Sequence, residues 1–122
     1  MVDEINRFDI VLVKLNPTVG SEIQNQQMRF CEAKGFLEKT RPCIIISPNE
    51  MNILKTVIVA PMTSKGFNFI FRPKIKFEDK NGLVLLDQIR AVDKTRIVKK
   101  IGEVDKNKSK EISQMLTEIF EY

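Results

Sequence analysis

Four places in this chain set polar side chains at the ends of apolar runs. Thr18 precedes Gly20-Ser21-Glu22, Arg41-Pro42 opens Cys43-Ile44-Ile45-Ile46-Ser47-Pro48, Pro61-Met62 leads into Thr63-Ser64-Lys65, and Asp87-Gln88 interrupts an apolar stretch begun by Leu83-Val84-Leu85-Leu86. A guanidinium, several hydroxyls and two carboxylates at strand ends beside loops are the groups from which a site on a rigid scaffold is built. The chain has no histidine. Acid and base chemistry near neutral pH must therefore come from Glu22, Asp87, Arg41 or a hydroxyl, with pKa values set by their surroundings. Taken one at a time, each has a plain structural reading. Pro17-Thr18-Val19-Gly20 is a turn, Glu22 a solvated loop acid, Arg41 a surface arginine, and Thr63 and Ser64 turn hydroxyls. Asp87-Gln88 resists that treatment, because a strand would place hydrophobes there.

The elements that must position these groups are mostly strands. Partial alternation over residues 8–15 predicts a first strand, stopped by Asn16-Pro17. The β-branched runs at 44–47 and 56–60, bounded by Pro42, Pro48 and Pro61, read as buried strands. Residues 48–54 between them suit one or two helical turns capped by Ser47. Four more strands are expected at 67–71, 74–77, 83–89 and 97–103, with Asn81-Gly82 as a tight turn. In the tail, Ile112, Met115, Leu116, Ile119 and Phe120 fall on one face of a helix, with Asp105 or Asn107 as its N-cap. The expected fold class is mainly β with α, a small bent barrel with a C-terminal helix, in one domain spanning residues 1–122. Residues 23–40, polar at first and then carrying Met28, Phe30, Phe36 and Leu37 around Gly35, read as a long loop, either functional or disordered.

Composition sets the outer bounds. The chain has 122 residues, 43% hydrophobic and 30% charged, which is ordinary for a folded domain with a real core. The net charge is +4, and the excess lies in residues 65–100, where Glu78, Asp79, Asp87 and Asp93 are outnumbered by Lys and Arg. A basic middle suits a polyanion or an acidic partner. Cys31 and Cys43 lack metal-ligand spacing, and Cys43 inside an apolar run is expected to be a buried small hydrophobe. With no membrane-length apolar stretch and an acidic N-terminus, a cytoplasmic protein is expected.

Together, Phe8-Asp9-Ile10-Val11-Leu12-Val13, Asn16-Pro17-Thr18-Val19-Gly20-Ser21-Glu22, Arg41-Pro42, Pro61-Met62-Thr63-Ser64 and Gly82-Leu83-Val84-Leu85-Leu86-Asp87-Gln88 resemble, in order, the MazF/PemK family of toxin endoribonucleases. The resemblance implies an SH3-like or CcdB-like barrel that forms a homodimer. It also implies cleavage of single-stranded RNA without metal or cofactor, and an antitoxin partner whose acidic, partly disordered tail blocks the site. Carried over by position, Arg41, Thr63 and Glu22 would be catalytic. Arg41 would bind and neutralise the scissile phosphate, Thr63 would donate to a non-bridging oxygen, and Glu22 would accept the 2′-hydroxyl proton. Ser64, Asp87, Gln88, Thr18 and Lys65 would contact substrate.

Two features depart from the family pattern. The span from Glu22 to Arg41 carries an insertion at about residues 23–40, and Leu85 stands where some members place a catalytic arginine. The insertion reads either as a lid hinged at Gly35 or as decoration. A second class of function also fits the barrel: a toxin that acts by gripping a protein, as the gyrase-poisoning relatives do. The Arg41, Thr63 and Glu22 set favours the nuclease, since a protein binder needs no phosphate-sized polar pocket.

Overall fold

The computed structural model describes residues 4–15 and 39–121. The expected sites Thr18 and Glu22 and most of the 23–40 insertion lie outside them. Seven strands form one antiparallel sheet among the described residues: β1 (Asp9–Leu15), β2 (Lys39–Ile45), β3 (Thr56–Thr63), β4 (Lys74–Phe77), β5 (Lys80–Val84), β6 (Arg90–Asp93) and β7 (Ile97–Glu103). One α-helix, α1 (Lys106–Phe120), follows. The sheet order is β4-β5-β3-β2-β1-β7, with β6 added beside β3.

The central strands are buried on both faces, which is why β1 alternates only partly in hydrophobicity. Val11, Val13, Cys43, Ile45, Val57 and Val59 fill one core layer with Ile5, Val92 and Ile97. Ile10, Ile44, Ile46, Ala60 and Met62, one step out of phase, fill the other layer with Val84, Leu86 and Ile112. The helix covers this second layer. Ile112 is fully buried, with Met115, Leu116 and Ile119 packed around it, whereas Phe120 at the end of the stripe stays exposed. The Asp105 side chain accepts from the Lys108 N–H at 2.7 Å and caps the first turn. The sheet curls into a half-barrel until its edge strands nearly meet: a Cβ at Gly102 of β7 would lie 2.8 Å from the Phe77 ring of β4.

Several expectations are corrected. Pro42 and Pro61 lie inside β2 and β3 rather than bounding them, and the β2–β3 pairing stops there, at Cys43 opposite Pro61. Proline has no N–H to continue a ladder, so the two strands part beyond that pair. Strand β2 starts at Lys39, which brings the last two residues of the supposed 23–40 loop into the sheet. Ser47 does not cap the short 3-10 turn Asn49–Ile53; its buried hydroxyl accepts from the Ile58 N–H at 3.1 Å. The 83–89 run is not one strand. The chain leaves β5, makes the 3-10 turn Leu86–Gln88 and returns as β6, so β3 pairs with β6 along its first half and with β5 at its end.

Residues 67–71 form no strand. Their alternation reflects Phe67, Phe69 and Phe71 packed edge to face on one another, with ring centroids 6.4 and 6.1 Å apart, and a turn in which Arg72 N–H donates to the Phe69 carbonyl. Asn81-Gly82 is not the hairpin turn either. Phe77 pairs with Lys80, which leaves Glu78 and Asp79 at the tip with φ of 52° and 63°, the left-handed pair that a two-residue hairpin requires. Gly82 is needed within the strand instead, because a Cβ there would sit 2.9 Å from the Thr63 carbonyl oxygen.

Candidate active site

Where β2 and β3 part, a groove of about 550 Å³ opens. Arg41 of β2 and Thr63 of β3 each lie two residues beyond the last paired residues, Cys43 and Pro61, so both point of splay and register bring them to its wall. Ser64 joins them with Thr40 and Asn81, and Lys80, Lys99 and Glu78 complete the charged lining over a floor that includes Leu12, Met62 and Ile75. The sheet's curl supplies the far wall: Lys99 belongs to β7, and Lys80 follows the β4–β5 tip.

The hydroxyls differ in their commitments. Thr63 Oγ1 donates to the Lys65 carbonyl at 2.8 Å and accepts from the Lys65 N–H at 3.1 Å, so it now spends its proton inside its own turn. Ser64 is exposed and has no hydrogen-bond partner among the described residues. Arg41 is half-buried, anchored by β1 opposite Val13. Beneath it, Cys43 is buried, and its thiol is pushed up to about 11 by that burial. It is a packing residue rather than a nucleophile.

The structure brings Arg41, Thr63 and Ser64 into one groove; it does not bring Asp87, Gln88 or the Lys65 side chain to that lining. Asp87 instead receives both arms of Arg72, Nε to Oδ1 at 3.0 Å and Nη2 to Oδ2 at 2.9 Å. The Arg72 hydrogen bonds hold the Asp87 carboxyl below its ordinary range, and Asp87 in turn raises Arg72. The guanidinium also lies over the Phe67 ring at 4.7 Å. Asp87 thus ties residues 66–72 to the 3-10 turn after β5, which explains a carboxylate at the end of an apolar run.

Sequence reasoning missed Lys80, Lys99 and Glu78 in the lining. The signal available for Lys80 and Lys99 was the basic excess over residues 65–100, which does not single either out, because only the curl of the sheet brings β7 to the groove.

Residues 6–120 match the family described as PemK-like, MazF-like toxin of type II toxin-antitoxin system. Among curated proteins, the chain is 34% identical over 106 residues to the endoribonuclease toxin ChpB of Escherichia coli (strain K12), covering 81% of this chain and 79% of that one. It is 29% identical over 119 residues to the endoribonuclease MazF of Staphylococcus saprophyticus, covering 92% and 88%. The fold is that of MazE–MazF from Deinococcus radiodurans, with a TM-score of 0.70, 18% identity and 94% of each chain covered. With a match that runs from before β1 to the end of α1, this chain belongs to the PemK/MazF toxin family of type II toxin–antitoxin systems.

Proposed function

We propose that this chain is the toxin endoribonuclease of a toxin–antitoxin pair and cuts single-stranded RNA without a metal ion. The single observation that carries the reading is the groove in which Arg41, Thr63 and Ser64 meet with Lys80 and Lys99. RNA holds its own nucleophile. Its 2′-oxygen attacks the adjacent phosphorus, the 2′-O–P bond forms, the bond from phosphorus to the 5′-oxygen breaks, and the products are a 2′,3′-cyclic phosphate and a 5′-hydroxyl. The protein need supply only alignment, a proton acceptor and stabilisation of charge on the non-bridging oxygens. Arg41 serves the last role bidentately. Ser64, with its uncommitted hydroxyl, donates to the same phosphate, and Thr63 does so once it releases the Lys65 carbonyl. Glu22 takes the 2′-hydroxyl proton, and water protonates the leaving 5′-oxygen.

The active species is a homodimer, for which the exposed Phe67, Phe69 and Ile70 offer apolar side chains. Its antitoxin carries an acidic, partly disordered tail that competes with RNA for the basic groove. The relative from Deinococcus was crystallised as MazE–MazF, which supports such a partner. The setting is cytoplasmic.

The test is incubation of purified protein with a long single-stranded RNA in EDTA, with the ends mapped. Cyclic phosphate and 5′-hydroxyl ends are expected. Arg41→Ala should lower the rate by ~10² or more, as does loss of a charged donor to a reacting oxyanion. Intact RNA would favour a toxin that grips a protein target, and normal cleavage by a well-folded Arg41→Ala protein would remove Arg41 from the site.

A further inference from the structure

The groove of Arg41 and Thr63 does not end at Ser64. A second groove of about 750 Å³ begins there, sharing Ser64, Ile75, Asn81 and Gly82 in its lining with the first, and runs between β4 and the start of α1. Its charged lining is Lys74, Lys76, Lys108, Glu103 and Asp105.

The commitments of these charges are unequal. Glu103 pairs with Lys100 at 3.0 Å, and Asp105 accepts the Lys108 N–H as the helix cap. Lys108 Nζ pairs with Glu111 at 3.0 Å, outside the groove's lining. Lys74 and Lys76, two apart on β4 and both exposed, enter no ion pair among the described residues. Between them Ile75 is buried, so the strand's alternation holds both ammonium groups on the outer side of β4. Both acids of the groove are engaged within the protein, Glu103 with a Lys100 that also pairs with Asp9 at 3.3 Å and Asp105 with the first turn of the helix, whereas the two lysines of its β4 wall are in no ion pair among the described residues.

We infer that this second groove carries the single-stranded RNA beyond the cut step, with Lys74 and Lys76 on backbone phosphates. The inference rests on the nuclease reading above and adds a direction to it: the strand passes Ser64 and continues over β4 toward the N-terminus of α1. Long RNA is then held by contacts that a short oligonucleotide ending at the first groove cannot make. The gain is in KM and in salt dependence, since each phosphate contact releases counterions.

The experiment compares the intact protein with Lys74→Gln/Lys76→Gln, using a long single-stranded RNA and a short oligonucleotide that carries the same cut step. Lys55→Gln/Lys110→Gln, two exposed lysines in neither groove, is the charge-matched control. The expected result is a loss of about tenfold in the long-over-short KM preference and a fall of ~1.4 in the slope of log KM against log salt for the long substrate, about 0.7 for each contact on a single strand. The control should keep both. An unchanged preference and slope in a folded, cleaving Lys74→Gln/Lys76→Gln protein would overturn the second groove while leaving the nuclease intact. Equal losses in the control would overturn it too, by showing that only net charge matters. Weaker antitoxin binding with unaltered RNA kinetics would assign the lysines to the antitoxin instead. Failure of the unsubstituted protein either to cleave or to bind RNA would overturn the nuclease reading and this inference together.

Discussion

Gly82→Ala should damage the protein in a way that reports on Thr63. The added Cβ would lie 2.9 Å from the Thr63 carbonyl oxygen and 3.6 Å from its carbon. Ordinary contact requires roughly half an ångström more. The obstacle is backbone, and β5 and β3 are tied at Met62–Val84 and Thr63–Leu83, so neither strand can yield alone. Overpacking of this kind costs about 1–3 kcal/mol. A misplacement of 1 Å can cost ~10² in rate, so half of that displacement at Thr63 should lower turnover about tenfold. Gly102→Ala provides the contrast, because its Cβ would meet the Phe77 ring at 2.8 Å, and a ring can swing aside. Denaturant midpoints at constant slope would give the stability change, and cleavage at saturating RNA, well below the melting temperature, would give the turnover. A Gly82→Ala protein with the parent midpoint and parent turnover would refute the claim that β5 holds Thr63 in place. One that lost stability yet kept full turnover would show that Thr63 takes no part in the reaction.

The remaining predictions concern the scaffold. Because Arg72 holds the Asp87 carboxyl below its ordinary range, the tie is complete above the unfolded value of about 3.9 and is lost as pH falls through the lower folded value. Amide exchange over residues 66–72 should therefore be slow from neutral pH down to about pH 4 and speed up beneath it, whereas Asp87→Asn should show loosened exchange at every pH, at a global cost of no more than about 1 kcal/mol; equal exchange in both at pH 6 would refute the tie. Ile112→Ala, at the one fully buried position of α1, should lower stability by about 2–4 kcal/mol in denaturant melts with little change in slope. In a Cys31→Ser background, Cys43 should react with a thiol reagent only at the rate of global opening, since burial raises its thiol to about 11; rapid labelling of the native protein would contradict this.

The parts of the fold readable from sequence are those set by local pattern. Runs such as Ile44-Ile45-Ile46 read as strands because both faces of the sheet are covered, and the 3.6-residue spacing from Ile112 to Ile119 marked α1 because one face of it meets the core. What was not readable depends on partners distant in the chain. Asn81-Gly82 is the stronger local hairpin signal, yet the close approach of the Thr63 carbonyl takes Gly82 into β5 and leaves Glu78-Asp79 to turn. The break between β5 and β6 is hidden by continuous apolar residues, because Leu85 and Leu86 are as buried in the turn as they would be in a strand. Asp87 stood out as an anomaly, but its explanation, Arg72, lies 15 residues earlier.

That Arg41 and Thr63 of the candidate site line one groove was legible for a related reason. Arg41-Pro42 and Pro61-Met62-Thr63 each join a proline to a polar residue at a strand end, and the structure makes Pro42 part of the cause. A ladder that continued past Cys43 and Pro61 would make residue 42 and Met62 its next hydrogen-bonded pair and close the gap between Arg41 and Thr63. Ending the ladder before residue 42 costs little, because Pro42 leaves no N–H unpaired there. It also lets β3 turn toward β5, which carries Gly82, Asn81 and Lys80 to the opposite wall. Pro42 thus helps to open the groove that Arg41 and Thr63 flank. Replacing Pro42 with a donor such as Ala would restore an N–H, and the physical expectation is a longer β2–β3 ladder and a narrower groove.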